Sequence, residues 1–176
     1  RQGHFAEINL NNMDFNEKIY WDIEENILNS KTANIKQNNY DYKYNLKKKL
    51  EKSVKQQLLG DVEIGSFLSG GIDSSLIASV MSSIHNSTIS TFSVGFDNEE
   101  FDESKNAKKI SKILRTNHHE LILNEKDVIK SIPDIVKTYD EPFSDSSQIP
   151  TYLISKFASS KLKVCLSGDG GDELFG

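Results

Sequence analysis

Two short glycine-rich runs carry residues that could do chemistry. They are Ser69-Gly70-Gly71-Ile72-Asp73-Ser74-Ser75 and Ser167-Gly168-Asp169-Gly170-Gly171-Asp172-Glu173. In the first, adjacent glycines let the backbone turn sharply and come close to an anion. Ser74 and Ser75 fall in the first turn of the helix that the following sequence predicts. There the free N–H groups and the positive end of the helix dipole favour phosphate. Asp73 would repel a bare phosphate, so it makes chemical sense as a ligand of a magnesium ion that bridges to one. The plainer alternative is a turn in which Ser69 or Asp73 caps the helix. The paired serines, the aspartate and the strand–loop–helix setting favour the anion site. The run is not a Walker loop, which needs Gly-Lys-Ser/Thr, nor the dinucleotide fingerprint, which needs a third glycine.

The second run crowds Asp169, Asp172 and Glu173 into five positions. Such carboxylates repel one another, and glycines around them imply a loop that holds its acids near something cationic. Magnesium, a substrate ammonium or a lysine from elsewhere would serve. An exposed acidic turn is the plain alternative. A calcium loop would need alternating ligands and a Glu at its twelfth position.

The sequence around the two runs alternates between strand and helix patterns. Leu46, Leu50, Val54 and Leu58 recur every four residues, a helical face that ends at Gly60, with the intervening lysines solvated. Strands are expected over 62–68, 90–96, 118–123 and 162–166. Helices are expected over 72–84, 101–114, 126–139 and 149–160. This order predicts an α/β fold in which right-handed βαβ units build a parallel sheet covered by helices on both faces. Both glycine runs then lie at carboxyl ends of strands, where open parallel sheets bind ligands. Residues 4–10 alternate like a strand, Asn11-Asn12 reads as a turn, and Tyr20-Trp21 as a short strand or a packing anchor. Residues 23–45 read as an exposed linker with at most about one helical turn.

Composition excludes several classes. The 176 residues are 36% hydrophobic and 27% charged, which fits a folded globular chain rather than a disordered one. The net charge of −5 argues against nucleic acid as a partner. No apolar run reaches the roughly 20 residues of a membrane span. The lone cysteine, Cys165, cannot form an internal disulfide, which suits a reducing cytoplasmic setting. It sits in an apolar strand and is expected to pack in the core. His118 and His119 are adjacent on a predicted strand and should point to opposite faces, so they are not expected to share a metal. Asp102-Glu103 is expected to favour a helix start rather than catalysis.

The run Ser-Gly-Gly-x-Asp-Ser resembles the pyrophosphate loop of the ATP pyrophosphatases, which adenylate their substrates. The second run, continued by Leu174-Phe175-Gly176, narrows the resemblance to the synthetase domain of glutamine-hydrolysing asparagine synthetases. Residues 91–96, 101–104, Asp140-Glu141-Pro142, Ser144-Asp145-Ser146 and Ile149-Pro150 resemble the family's stretches between the two loops. The resemblance implies an adenine nucleotide alpha hydrolase-like fold. It divides the chain into the end of a glutaminase domain (1–22), a linker (23–45) and the truncated N-terminal part of the synthetase domain (46–176). It implies ATP and Mg2+ as cofactors. Leu68 and Val94 would line the adenine and ribose pocket, with Ser167 and Gly168 also contacting the nucleotide. Ser69, Gly70, Gly71, Asp73, Ser74 and Ser75 would hold the pyrophosphate. Asp73 and Asp172 would be the acids near the metal, and Asp169 would act in forming an aspartyl-AMP intermediate.

The implied reaction is amidation of aspartate to asparagine, with ammonia derived from glutamine in a full-length parent, which could be a homodimer. Family members often carry Glu where this chain has Asp169, which leaves open a paralogue that amidates a sugar acid or peptide or cyclises a β-amino acid. A tRNA-modifying adenylating enzyme would be expected to show basic extensions or catalytic cysteines. A decayed scaffold would not be expected to keep mutually repelling acids. Arg1 in place of the family's amino-terminal cysteine, and a chain ending inside the second glycine run, are the expectations of a fragment.

Overall fold

The computed structural model describes residues 1–32, 39–97 and 102–175. The expected helix start at Phe101 and the last glycine, Gly176, lie outside them. The chain divides into two compact units, Arg1–Tyr44 and Asn45–Gly176.

In the first unit, β1 (His4–Ile8) and β2 (Phe15–Ile19) form an antiparallel hairpin, with Ile8 opposite Phe15 and His4 opposite Ile19. Tyr20 and Trp21 are not a strand. Their N–H groups both donate to the Gly3 carbonyl, at 3.0 and 3.2 Å, and close the open end of the hairpin. Residues 23–45, expected as an exposed linker with little helix, instead hold α1 (Ile23–Thr32) and the start of α2 (Asn39–Gln57). The pattern hid these helices because they bury almost no apolar face: Ile23, Ile27, Leu28, Tyr42 and Tyr44 are all exposed. Periodicity reports burial, and here there is little burial to report.

The second unit is a four-stranded parallel sheet in the order β5-β4-β3-β6, formed by β3 (Ile64–Phe67), β4 (Ser90–Phe96), β5 (Asn117–Leu123) and β6 (Val164–Leu166). The helices between and after the strands are α3 (Ile72–Ile84), α4 (Ser104–Leu114), α5 (Glu125–Thr138), α6 (Gln148–Ser159) and the short α7 (Gly171–Phe175). The chain steps outward from β3 to β4 to β5, then returns to the other side of β3. β3 is therefore where the winding reverses, and the crevice at its carboxyl end is the place such sheets offer a ligand. One core cluster gathers Val54 of α2, Ile64, Val80, Met81 and Ile89; a second gathers Leu68, Ala78 and Ala107. No helix among the described residues is long and apolar enough to cross a membrane.

The sheet's two faces differ in chemistry. On one, Phe92 is fully buried, stacks on His119 at 5.1 Å and meets Phe157 of α6 edge-on at 5.9 Å. On the other, α4 comes close through small residues, Ser104, Ala107 and Ser111, all buried. Beneath it lies a polar web. Thr91 Oγ1 lies 3.0 Å from His118 Nδ1 and 2.7 Å from Thr116 Oγ1, and Ser93 Oγ lies 3.2 Å from His118 Nε2. His118 and His119 thus occupy opposite faces, as strand geometry requires. Cys165 is partly buried in β6, and burial pushes its thiol up to about 11, so at neutral pH it is a packing residue rather than a nucleophile.

Burial holds both histidines below the ordinary value of 6.5. Around His118, Glu120 opposes this, and His119 and Lys108 add to it. Around His119, Lys161 adds and Glu63 opposes. In the unfolded chain both would titrate near 6.5. The stability gained by keeping them neutral is therefore present above about pH 6.5 and is lost as pH falls through the depressed values. Urea midpoints should fall with acidification in that window. His118→Asn, which keeps hydrogen-bonding groups but cannot titrate, should flatten the fall in part, with His119 supplying the remainder; an unchanged slope would show that His118 is not the titrating group.

Candidate active site

The first glycine run leaves the sheet from β3. Leu68, fully buried, donates its N–H to the Phe92 carbonyl at 2.8 Å and so carries the strand pairing one residue beyond β3. The chain then reverses through Gly70, whose φ of +91° is a conformation that L side chains rarely adopt. Gly71, extended at φ −72° and ψ 170°, is the N-cap of α3 and has no side-chain cap. The serines organise the turn from within. Ser69 Oγ lies 2.9 Å from Ser74 Oγ, Ser69 N–H donates to Ser74 Oγ at 3.2 Å, and Gly71 N–H donates to Ser69 Oγ at 3.3 Å. Ser75 Oγ donates to the Gly71 carbonyl at 2.5 Å. A helix start leaves its first N–H groups without intrahelical partners, so the turn presents donors of fixed direction at the sheet's carboxyl edge.

The second run leaves from β6, which pairs in parallel with β3: Ile64 with Val164, Gly65 with Cys165 and Ser66 with Leu166. That register delivers Ser167 beside the exit of β3. The two loops then touch. A Cβ on Gly168 would lie 2.7 Å from Ser74 N and 2.9 Å from the Asp73 carbonyl carbon, and one on Gly171 would lie 2.5 Å from the Asp73 carboxyl carbon. Only glycine at 168 allows these backbones to pack. Gly170 has φ +87°, so the loop turns there before α7 begins. Ser167 Oγ donates to Asp169 Oδ2 at 3.0 Å and accepts from Asp169 N–H at 3.4 Å, which fixes that side chain in the turn.

Of the residues singled out from sequence, Asp73, Ser74, Gly168 and Gly171 are in direct contact, and Ser69, Gly70, Gly71 and Ser75 belong to the same turn. Val94, near the end of β4, is one strand away from Leu68. Asp169, Asp172 and Glu173 are exposed, and among the described residues none of them is hydrogen-bonded to Asp73. No three His, Cys, Asp or Glu among the described residues gather to hold a metal ion. The site therefore offers carboxylates one at a time rather than a cage. That donor set suits magnesium that arrives with phosphate oxygens and water, which needs only one or two carboxylates from the protein. Asp73, whose carboxylate forms no hydrogen bond or ion pair among the described residues, stands in the first turn of α3 with its carboxylate against Gly171.

Sequence reasoning missed part of the wall. Gly95 of β4 is buried, and a Cβ there would lie 2.7 Å from Asp102 Oδ1 and 2.8 Å from Ser104 Cβ. Gly70 is backed by α4, where Asn106 Cβ and Ala107 N would each be 2.8 Å from an added Cβ. The signal was present as Gly95 inside a strand pattern, which marks a close approach.

The asparagine synthase family model matches residues 45–176. Glutamine-hydrolyzing asparagine synthetase 1 of Bacillus subtilis is 42% identical over 124 residues, a match covering 70% of this chain and 20% of that protein. The glutamine-hydrolyzing asparagine synthetase of Sandersonia aurantiaca is 37% identical over 144 residues, covering 74% of this chain and 27% of that protein. The chain thus spans only about a fifth to a quarter of the length of these curated relatives. Among solved structures, an NH3-dependent NAD synthetase from Campylobacter jejuni superposes with a TM-score of 0.52 at 16% identity, covering 76% of this chain and 60% of that one. At that identity the likeness shows the fold.

Gly168→Ala should drive the two loops apart, because the atoms it meets are backbone. Titration calorimetry with magnesium-ATP, the ligand we propose for this site, should show affinity falling roughly tenfold or more, about 1.4 kcal/mol. Gly60→Ala, where an added Cβ meets nothing within 4 Å, should leave affinity unchanged. Equal affinities for both variants would show that loop contact does not shape the site.

Proposed function

Because the chain belongs to the asparagine synthase family, we propose that it forms the ATP-binding, carboxylate-activating part of an enzyme that converts aspartate to asparagine through β-aspartyl-AMP. The observation that carries this reading is the packing of Gly168 and Gly171 against Asp73 and Ser74, which makes one site of two loops far apart in sequence.

On this reading the adenine and ribose lie along Leu68 and Val94, with Ser167 and Gly168 at their side. The β- and γ-phosphates are held by the turn from Ser69 to Ser75, where backbone N–H donors accept the charge that develops on departing pyrophosphate. Asp73, with Asp172 as the second acid, would hold magnesium, which when bound adds charge neutralisation at the phosphates. The aspartate side-chain carboxylate attacks the α-phosphorus, a P–O bond forms, and the bond to pyrophosphate breaks. Ammonia then attacks the acyl carbon, gives up a proton and expels AMP. Asp169, held in its turn by Ser167, would on this reading act in forming the adenylate. Excluding water protects that intermediate from hydrolysis. Glutamine as the ammonia source, a cytoplasmic setting and a homodimeric full-length protein belong to the same proposal.

Pyrophosphate release from magnesium-ATP by the full-length protein, with ammonia and with or without aspartate, tests the reading. Release should depend on aspartate and should fall roughly 100-fold or more in Asp73→Ala. ATP binding with no response to aspartate would move the acceptor to another carboxylate, such as a sugar acid or a peptide. Aspartate-dependent release that survives Asp73→Ala would remove Asp73 from the chemistry.

A further inference from the structure

Asp102 ties the exit of β4 to the entry of α4. Its Oδ1 accepts from Ser104 N–H at 3.0 Å. Ser104, by its side chain first and then by its N–H, holds the Asp102 carboxyl below the ordinary value, with the Phe96 backbone and Lys105 adding less. Oδ1 occupies the space beside Gly95 where any other residue would carry its Cβ. Ser104, 4% exposed, packs against the same glycine, and within the same turn of helix Asn106 and Ala107 back Gly70 in the pyrophosphate-loop turn. The first turn of α4 therefore touches both parts of the proposed nucleotide site: the strand end next to Val94 and the reversal at Gly70. Its distance from one is set at Asp102, and its distance from the other by the rigid helix that follows.

We propose that Asp102 is a positioning residue that fixes the spacing between the base-binding end of β4 and the phosphate-binding turn at Gly70. The proposal rests on the adenylation reading above for the identity of the ligand. Asp102 touches neither reacting atoms nor phosphate; it acts through Gly95 and through α4. A residue that only capped α4 would stabilise the fold and leave nucleotide affinity alone. The carboxylate differs from a cap in reaching Gly95 as well as Ser104.

Three variants of the full-length protein separate these roles, each checked by circular dichroism to be folded at the assay temperature. Asp102→Ser keeps a good capping side chain for Ser104 but is too short to fill the space at Gly95. It should raise the KM for ATP and weaken ATP binding by calorimetry roughly tenfold, with the KM for aspartate unchanged and kcat reduced less. Asp102→Ala should do at least as much. Asp102→Asn, isosteric and still an acceptor, should return ATP affinity to within about threefold of the unmodified protein, since an oxygen in the same place restores the spacing. Wild-type ATP affinity in folded Asp102→Ser overturns the proposal and leaves Asp102 as a cap. Failure of Asp102→Asn to rescue overturns it too, because charge rather than spacing would then be what matters. If the unmodified protein binds ATP but releases no pyrophosphate with aspartate, the acceptor reading fails, and the calorimetric comparison still decides the role of Asp102. If it binds no ATP, both readings fall.

Discussion

The parallel pairing of β6 with β3 is the constraint on which the site depends. Three residue pairs, ending at Ser66 and Leu166, fix where the second glycine run leaves the sheet. Slipping that register by one residue would turn every side chain of β6 to the other face. It would also carry Gly168 away from Ser74 by about one strand rise, roughly 3.3 Å. At the observed register the two loops have no room for a side chain between them. The sheet does not merely carry the loops; its hydrogen bonds set the gap between them.

That gap has an electrostatic consequence. The turn at Gly70 and Gly71 presents backbone donors, and the second run brings carboxylates to the same edge. Donors alone would make an anion site, and carboxylates alone would repel the anion. On the proposed reading the two together suit an anion that comes with a cation, as a magnesium nucleotide does. Asp169 and Asp172 are exposed and form no ion pair among the described residues, which costs little in water. By contrast, the polar web under α4 is satisfied within the protein: Thr91, Ser93, Thr116 and His118 bond one another. It links β4 to the start of β5.

Much of this was legible in the sequence where burial and periodicity coincide. The amphipathic run over 72–84 and the apolar strand over 90–96 appear with the same limits in α3 and β4. The turn at Gly70-Gly71 was legible because the residue types there have few other uses. What was hidden was hidden for physical reasons. α1 and the start of α2 expose their apolar residues, so their periodicity carried no one-sided signal. Asp102 read correctly as a helix-start residue, but its contact with Gly95 joins a strand end to a helix start and leaves no mark at any fixed sequence spacing. The contact of Gly171 with Asp73 is of the same kind, made across 98 positions of chain. The motifs named both residues, and only the sheet order brought them together.

The central claim is that the two loops act as one nucleotide site at the carboxyl end of β3. A crystal structure of the full-length protein with magnesium and a non-hydrolysable ATP analogue tests it most directly. The account predicts phosphate oxygens within hydrogen-bonding distance of the N–H groups between Gly71 and Ser75, with the base against Leu68 and Val94. It also predicts the metal on Asp73. A nucleotide bound away from the first turn, or phosphates held by the second loop alone with Asp73 free of the metal, would contradict it.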